Sequence, residues 1–264
     1  MACALCCLGC FRAHWGPMRV EFGGEGQPIV LLHGLMGRAS TWWPVADWLT
    51  PYGRVIGLDA RSHGRNPHRG GQWRTPDFVA DIAGVLSELG PSVLIGHSMG
   101  GLHALVTAAE HPDLVRAVVA EDMAVDLRGR TADGWRALFD AWPTPFPSLR
   151  HVRDFFGVLG SYFAECVREG PGGYELLSDI DDLFEIAGEW GTRDYWDFVD
   201  KVHCPLLAIE AGYTIMPPGQ QAEIARRAGG RHLVVDGAGH VVHVDAPDVY
   251  RGAVEAFLSE VLGR

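Results

Sequence analysis

The sequence contains almost no lysine and no long apolar run. Lys201 is the only lysine among 22 basic residues, and 33 acidic residues give a formal net charge of −11. This charge disfavours nucleic acids and anionic membranes as partners, because both attract basic surfaces. No apolar stretch approaches the roughly 20 residues of a membrane-spanning helix, so the sequence predicts no membrane span.

Cysteine is scarce after the first ten residues, where four cysteines lie close together: Cys3, Cys6, Cys7 and Cys10. Four thiols could bind zinc, but no second Cys or His pair completes a known spacing. The segment also lacks the pattern of a signal peptide. We therefore expect residues 1–17 to form a disordered Cys-rich tail, with Met1 and Met18 both open as natural starts. Because Cys166 and Cys204 are isolated, we expect no disulfides and a reducing, cytoplasmic location.

Motifs for cofactors are also missing. The sequence has no dinucleotide-binding Gly-x-Gly-x-x-Gly, no P-loop and no cluster of metal ligands, so we expect neither a cofactor nor a metal. Apolar residues make up 47% of the chain and charged residues 21%, as in ordinary globular proteins. A length of 264 residues suits one α/β domain that carries an insertion.

Short apolar runs alternate with amphipathic helical segments along most of the chain. The predicted strands are residues 27–32, 54–58, 92–95, 115–120, 205–209 and 232–235. Helices are predicted between them, most clearly at residues 75–89 and 247–262. This alternation is typical of a parallel sheet covered by helices on both faces.

The pattern changes in residues 125–202. Strand-like runs stop, aromatic residues become frequent, and prolines at 143, 145 and 147 interrupt any helix. We interpret this segment as a helical cap inserted over a core of residues 18–124 and 203–264. The aromatic side chains could line an apolar pocket, or they could simply pack the insertion onto the sheet.

A possible nucleophile lies in the sequence Gly96-His97-Ser98-Met99-Gly100, between a predicted strand and a predicted helix. A serine at such a sharp turn adopts a strained backbone and needs small residues two positions before and after it, where Gly96 and Gly100 lie. The helix that follows offers free N–H groups where an oxyanion would form. The pattern therefore points to Ser98 as a nucleophile.

Three further motifs follow other predicted strands: His33-Gly34, Asp59-x-Arg61-x-His63-Gly64 and Gly237-Ala238-Gly239-His240. Together with the serine motif they resemble the α/β-hydrolase family over nearly all of the chain after residue 18, with small esterases most similar. The resemblance implies an α/β-hydrolase fold with a mostly parallel sheet, and it implies that His240 is the base. It also implies that the backbone amides of Leu35 and Met99 form the oxyanion hole.

The acid of the triad is less clearly marked. The loop after residues 205–209, where the family usually has Asp, places Thr214 at the expected position. Some family members carry the acid one strand earlier, where this chain has Glu121 and Asp122. We favour Asp122 and keep Glu210 and Glu121 as alternatives.

The resemblance implies a serine hydrolase that cleaves a carboxylic ester, a lactone or a related acyl bond through an acyl-enzyme. A small apolar or aromatic acyl compound is the expected substrate, and the oligomeric state, monomer or homodimer, stays open. C–C bond hydrolysis and cofactor-free perhydrolase chemistry use the same scaffold and are alternatives. A ligand-sensing protein with a vestigial triad is another. A serine in place of aspartate argues against haloalkane and epoxide hydrolysis, which need a carboxylate nucleophile.

Overall fold

The computed structural model describes residues 18–66, 73–130 and 133–264. The tail predicted for residues 1–17 lies outside these ranges. Within them the chain forms nine strands: β1 (Met18–Gly23), β2 (Pro28–Leu32), β3 (Arg54–Asp59), β4 (Ser92–His97), β5 (Val115–Glu121), β6 (Val167–Gly170), β7 (Gly173–Leu176), β8 (Leu206–Ala211) and β9 (Arg231–Val235).

The same ranges contain eleven α-helices: α1 (Trp43–Leu49), α2 (Thr75–Leu89), α3 (Met99–Glu110), α4 (Asp133–Asp140), α5 (Leu149–Phe156), α6 (Gly160–Ala164), α7 (Ile180–Trp190), α8 (Trp196–Val199), α9 (Gln220–Arg227), α10 (Val242–Asp245) and α11 (Pro247–Leu262). Short 3₁₀ turns lie at Ala39–Trp42, Pro112–Leu114 and Gly157–Leu159. Among these described helices, none has the length and apolar character needed to cross a membrane.

Seven strands form the main sheet in the order β1-β3-β2-β4-β5-β8-β9. Only β1 is antiparallel to its neighbour, and all other pairs are parallel, which confirms the predicted α/β architecture. The register pairs Leu32 with Gly96 and His97 with Glu121. The carboxyl ends of the central strands therefore meet at one edge, where ligands bind in sheets of this type.

Alternate residues of the central strands enter two separate cores, because successive side chains point to opposite faces. One core packs the strands against α2 and α3 and contains Val30, Leu94, Val118, Phe78, Ile82 and Leu102. The other packs them against α1 and α11 and contains Ile29, Val93, Val119, Leu49, Val254 and Phe257. All six of the strand residues are fully buried, as the continuous apolar runs predicted.

Residues 125–202 contain α4 to α8, and they also contain two short strands that the sequence analysis did not expect. The short strands β6 and β7 form an antiparallel hairpin, and Phe146 pairs with Tyr174 beside it. Two strands of four residues are too short to show an apolar alternation, although the Gly-Pro-Gly-Gly sequence at 170–173 is a turn signal. Gly173 has a φ of 129°, and a Cβ there would lie 2.4 Å from the Phe146 carbonyl oxygen.

Candidate active site

Ser98 lies at the sharp turn between β4 and α3. Its backbone has a φ of 52°, a strained value for a residue with a side chain. A Cβ at Gly96 would lie 2.2 Å from the carbonyl oxygen of Gly100, and a Cβ at Gly100 would lie 2.1 Å from that of Leu32. Both glycines are therefore required for this turn, which directs the serine away from the sheet edge.

His240 follows β9 in a loop and reaches Ser98 directly. Its Nε2 lies 3.0 Å from Ser98 Oγ. The buried His97 ring, whose pKa burial lowers to about 3, donates from Nε2 to the carbonyl oxygen of His240 at 2.9 Å. A Cβ at Gly34 would lie 2.6 Å from His97 Nδ1, so glycine there leaves room for this ring. His97, which lies in the turn next to Ser98, thus holds the loop of His240 in place.

Asp122 lies directly after β5 and contacts the other nitrogen of His240. The distance from His240 Nδ1 to Asp122 Oδ2 is 2.6 Å, and the carboxylate is fully buried. The Ala211 N–H donates to Oδ1 at 3.0 Å. Because Nδ1 carries the proton that faces the carboxylate, Nε2 is left to accept the serine proton.

Thr214, which stands where the family usually has aspartate, contacts the same carboxylate. Its hydroxyl donates to Asp122 Oδ2 at 3.1 Å and accepts from the Met216 N–H at 3.0 Å. The threonine and the aspartate therefore converge on one point next to His240. The sequence shows that threonine replaces the usual aspartate at position 214. It does not show the hydrogen bond to Asp122, because no local pattern indicates a contact between residues so far apart in the chain.

The two alternative acids contact other histidines. Glu121 accepts from the backbone N–H of His243 at 3.0 Å and from its Nδ1 at 2.8 Å, and both side chains are buried. Burial alone would raise the pKa of Glu121, but the charges of His243 and His97 and the hydrogen bonds from His243 together outweigh it and lower that pKa. Glu210 lies on β8, where its Oε2 is 2.7 Å from His232 Nε2.

Glu121 also supports the nucleophile through its main chain. Its carbonyl oxygen accepts from the Ser98 N–H at 2.8 Å. Through its side chain it holds His243, which stacks on Trp42 with ring centroids 4.4 Å apart. One residue thus connects the nucleophile turn with the segment that follows His240, a link that sequence reasoning did not find.

The two residues expected to form the oxyanion hole lie on either side of Ser98. Met99 is the first residue of α3, so its N–H has no acceptor within the helix. Leu35 lies in a tight turn that the Gly37 N–H closes on the Gly34 carbonyl oxygen at 2.9 Å. Leu35 and Ser98 line the same cavity.

Two buried histidines hold the loops that carry Leu35. His33 donates from Nδ1 to the Gly34 carbonyl and accepts the Ala60 N–H on Nε2 at 3.0 Å. His63 accepts the Met36 N–H at 3.3 Å. Burial lowers the pKa of His33 to about 4 and that of His63 to about 3, so both rings are neutral and can accept.

A cavity of about 530 Å³ lies above Ser98, between the sheet and residues 125–202. Its wall is mostly apolar and includes six aromatic side chains of that segment: Trp135, Phe139, Trp142, Tyr162, Phe163 and Trp190. Three other rings of the segment instead pack on one another: Phe146, Phe155 and Phe156. The first group agrees with the pocket interpretation, whereas the second packs within the insertion rather than onto the sheet. Across the described ranges, no three His, Cys, Asp or Glu side chains are arranged to hold a metal.

The chain belongs to the alpha/beta hydrolase family, whose model matches residues 29–253. A relative in Acinetobacter baylyi, (E)-2-((N-methylformamido)methylene)succinate hydrolase, is 36% identical over 252 residues, covering 89% of this chain and 91% of its own. The mouse (Mus musculus) sn-1-specific diacylglycerol lipase ABHD11 is 29% identical over 262 residues, covering 88% and 80%. The crystal structure of E-2-(acetamidomethylene)succinate hydrolase superposes with a TM-score of 0.83 at 24% identity, covering 91% of this chain and 94% of that one.

Proposed function

We propose that the protein is a serine hydrolase that cleaves a carboxylic ester, a lactone or a related acyl bond, with Ser98, His240 and Asp122 as its triad. The main support is the continuous line of contacts from Asp122 to His240 to Ser98, at 2.6 and 3.0 Å. The line ends at an apolar cavity of a size that suits a small acyl compound.

In the first half of the reaction, Ser98 Oγ attacks the carbonyl carbon while its proton passes to His240 Nε2. Asp122 holds the Nδ1 proton and stabilises the imidazolium that forms. The backbone N–H groups of Leu35 and Met99 donate to the oxyanion. When the adduct collapses, the bond to the leaving group breaks, and the leaving oxygen takes the proton from His240.

In the second half, a water molecule attacks the acyl-enzyme while His240 accepts its proton. Collapse of this adduct breaks the bond to Ser98 Oγ, which recovers its proton from His240 as the acid product leaves. Water is the only co-substrate, so the cycle needs no cofactor.

The relatives support this proposal at the level of chemistry. The mouse relative is a diacylglycerol lipase, which supports an ester as the bond that is cleaved. The Acinetobacter relative is a hydrolase of a substituted succinate, which supports a small organic acid derivative as the substrate. The site can accept an ester or a small organic acid derivative, because Ser98 lies at the floor of the cavity and is 6% exposed there.

A fluorophosphonate probe tests the proposal, since it reacts with an activated serine. It should label the wild-type protein and a Ser87→Ala control on the exposed face of α2, but not Ser98→Ala. A panel of p-nitrophenyl esters and lactones should then show turnover that Ser98→Ala lacks. A protein that takes up no probe and turns over no ester would instead be a ligand-binding member of the family.

A further inference from the structure

The cavity above Ser98 has one permanently charged side chain among the described residues of its wall, Arg130. It lies in the connection between β5 and α4, where its N–H donates to the Leu127 carbonyl oxygen at 2.9 Å. The other polar side chains of the wall are His97, Ser98 and His240 of the site already described, the Tyr162 hydroxyl, and the indole N–H groups of Trp135, Trp142 and Trp190. Arg130 is thus a solvent-exposed cation that lines a largely apolar cavity.

The neighbouring Arg128 differs because it has partners. Its guanidinium lies 2.6 Å from Asp126 and 3.0 Å from Asp194. Among the side chains that the structure describes, no acidic group forms an ion pair with Arg130, which is exposed to solvent and lines the cavity. Within that described set, its guanidinium is therefore open to water or to a ligand.

A ligand that fills the cavity removes this water. A neutral apolar ligand would displace water from the guanidinium without offering it a partner, in a cavity that Leu127, Trp135 and Met216 also line, at a cost of free energy. A carboxylate replaces the water with an opposite charge and two oxygens that match the guanidinium fork. A phosphate dianion would leave one negative charge unbalanced, in a protein whose net charge is already −11.

We propose that Arg130 binds a carboxylate of the substrate, so that the enzyme acts on an acyl compound that is itself an organic anion. The apolar wall then holds the body of the substrate, Arg130 its carboxylate and Ser98 the carbonyl group that reacts. The assignment of the reacting group rests on the proposed function, whereas the anion site itself does not.

Two matched substrates test the site: p-nitrophenyl hemiglutarate, which has a free carboxylate, and the same compound with that carboxylate capped as a methyl ester. We expect the wild type to prefer the anionic ester in kcat/KM. Arg130→Gln should lower the ratio of the two kcat/KM values about 10- to 100-fold, as expected for a charged hydrogen bond, chiefly through KM. Arg130→Lys should restore part of the preference. Arg128→Gln should leave the ratio unchanged.

A binding measurement separates this site from the catalytic proposal, because it needs no turnover. Calorimetry with Ser98→Ala should detect the hemiglutarate and not its methyl ester, and adding Arg130→Gln should abolish the difference. If the anion binds through Arg130 but no ester is hydrolysed, the anion site stands and the serine hydrolase proposal fails. Equal binding of both compounds, or a ratio that Arg130→Gln does not change, would overturn the anion site.

Discussion

Replacing Asp122 with Asn tests how the triad depends on one buried carboxylate. The aspartate accepts three hydrogen bonds, from His240 Nδ1 and the Thr214 hydroxyl on Oδ2 and from the Ala211 N–H on Oδ1. An asparagine of the same shape has only one oxygen. If its NH₂ takes the Oδ1 position, it faces the N–H of Ala211. If its NH₂ takes the Oδ2 position, it faces both His240 Nδ1 and the Thr214 hydroxyl.

The second orientation has the larger consequence for catalysis. An NH₂ group opposite His240 Nδ1 favours the tautomer with the proton on Nε2, which cannot accept the proton of Ser98. The imidazolium also loses its counter-charge in a site where the acid is fully buried. When a triad acid is neutralised in this way, kcat falls by roughly 10⁴. We expect about 10³ to 10⁴ here, or about 4 to 5.5 kcal/mol of activation free energy.

The assay is steady-state hydrolysis of a p-nitrophenyl ester, with the melting temperature measured on each protein. Glu210→Gln is the matched control, because Glu210 contacts an imidazole in the same way at 2.7 Å but on the neighbouring strand. It should keep kcat within about threefold, because Glu210 contacts His232 and not His240. Adding Thr214→Asp to Asp122→Asn should restore part of the rate, because the Thr214 hydroxyl lies 3.1 Å from the lost carboxylate oxygen.

The assignment of the acid fails if Asp122→Asn stays within a few-fold of the wild type. It fails more plainly if Glu210→Gln is inactive while Asp122→Asn is not. A loss of rate in Asp122→Asn that simply follows a loss of folded protein would show up in the melting temperature, and it would not be rescued by Thr214→Asp.

The remaining predictions concern the unit of catalysis, the second buried pair and pH. Ser98→Ala and His240→Ala should each abolish turnover, and kcat of the double variant should be no lower than either, because the two residues act together. Glu121→Gln should lower the free energy of unfolding in urea by about 3 kcal/mol, since it breaks a buried pair. Below pH 6.5 the free energy of unfolding should fall, because histidines bind protons in the unfolded chain but stay neutral where the folded protein buries them. One of these is His103, whose pKa burial lowers to about 3. His103→Phe should reduce this slope by about 1.4 kcal/mol per pH unit.

Each of these has a clear opposite result. A double variant much slower than both single variants would separate the roles of Ser98 and His240. A Glu121→Gln protein as stable as Glu210→Gln would show that its buried contact with His243 does not stabilise the fold. A His103→Phe protein with the slope of the wild type would mean that this ring, stacked on Phe78 at 4.5 Å, is protonated in the folded state.

Elements set by local sequence were predictable, including the bounds of two long helices. The predictions at 75–89 and 247–262 agree with α2 and α11. Proline lies within the first two residues of each helix, and a glycine with positive φ follows each, Gly90 at 86° and Gly263 at 66°. These signals lie within the helix or next to it. The hairpin of β6 and β7 has a local turn signal at 170–173, but its two strands of four residues are too short to show an apolar alternation.

The predicted nucleophile is marked by a local sequence motif, whereas the predicted acid depends on contacts between distant parts of the chain. Strand, turn and helix around Ser98 are contiguous, so a short motif contains the whole geometry. The acid must be found at a distance along the chain, because His240 lies 118 positions after Asp122. The residues alone left three carboxylates open, and only their packing shows that each one contacts a different histidine.

Glu121 and Asp122 show why that choice could not be made from the sequence. They are consecutive, so a strand would send their side chains to opposite sides, and here each meets a different imidazole three residues apart in the same segment, His243 and His240. The chain bends at Asp122, where φ is 42°, and the Asp122 N–H donates to the Ile209 carbonyl oxygen at 2.8 Å. A shift of one residue in β5 would bring a different residue to the position beside His240. The identity of the acid therefore depends on the register between β5 and β8. Partial rescue by Thr214→Asp would show that positions 122 and 214 reach the same imidazole, as the 3.1 Å contact between the Thr214 hydroxyl and Asp122 predicts.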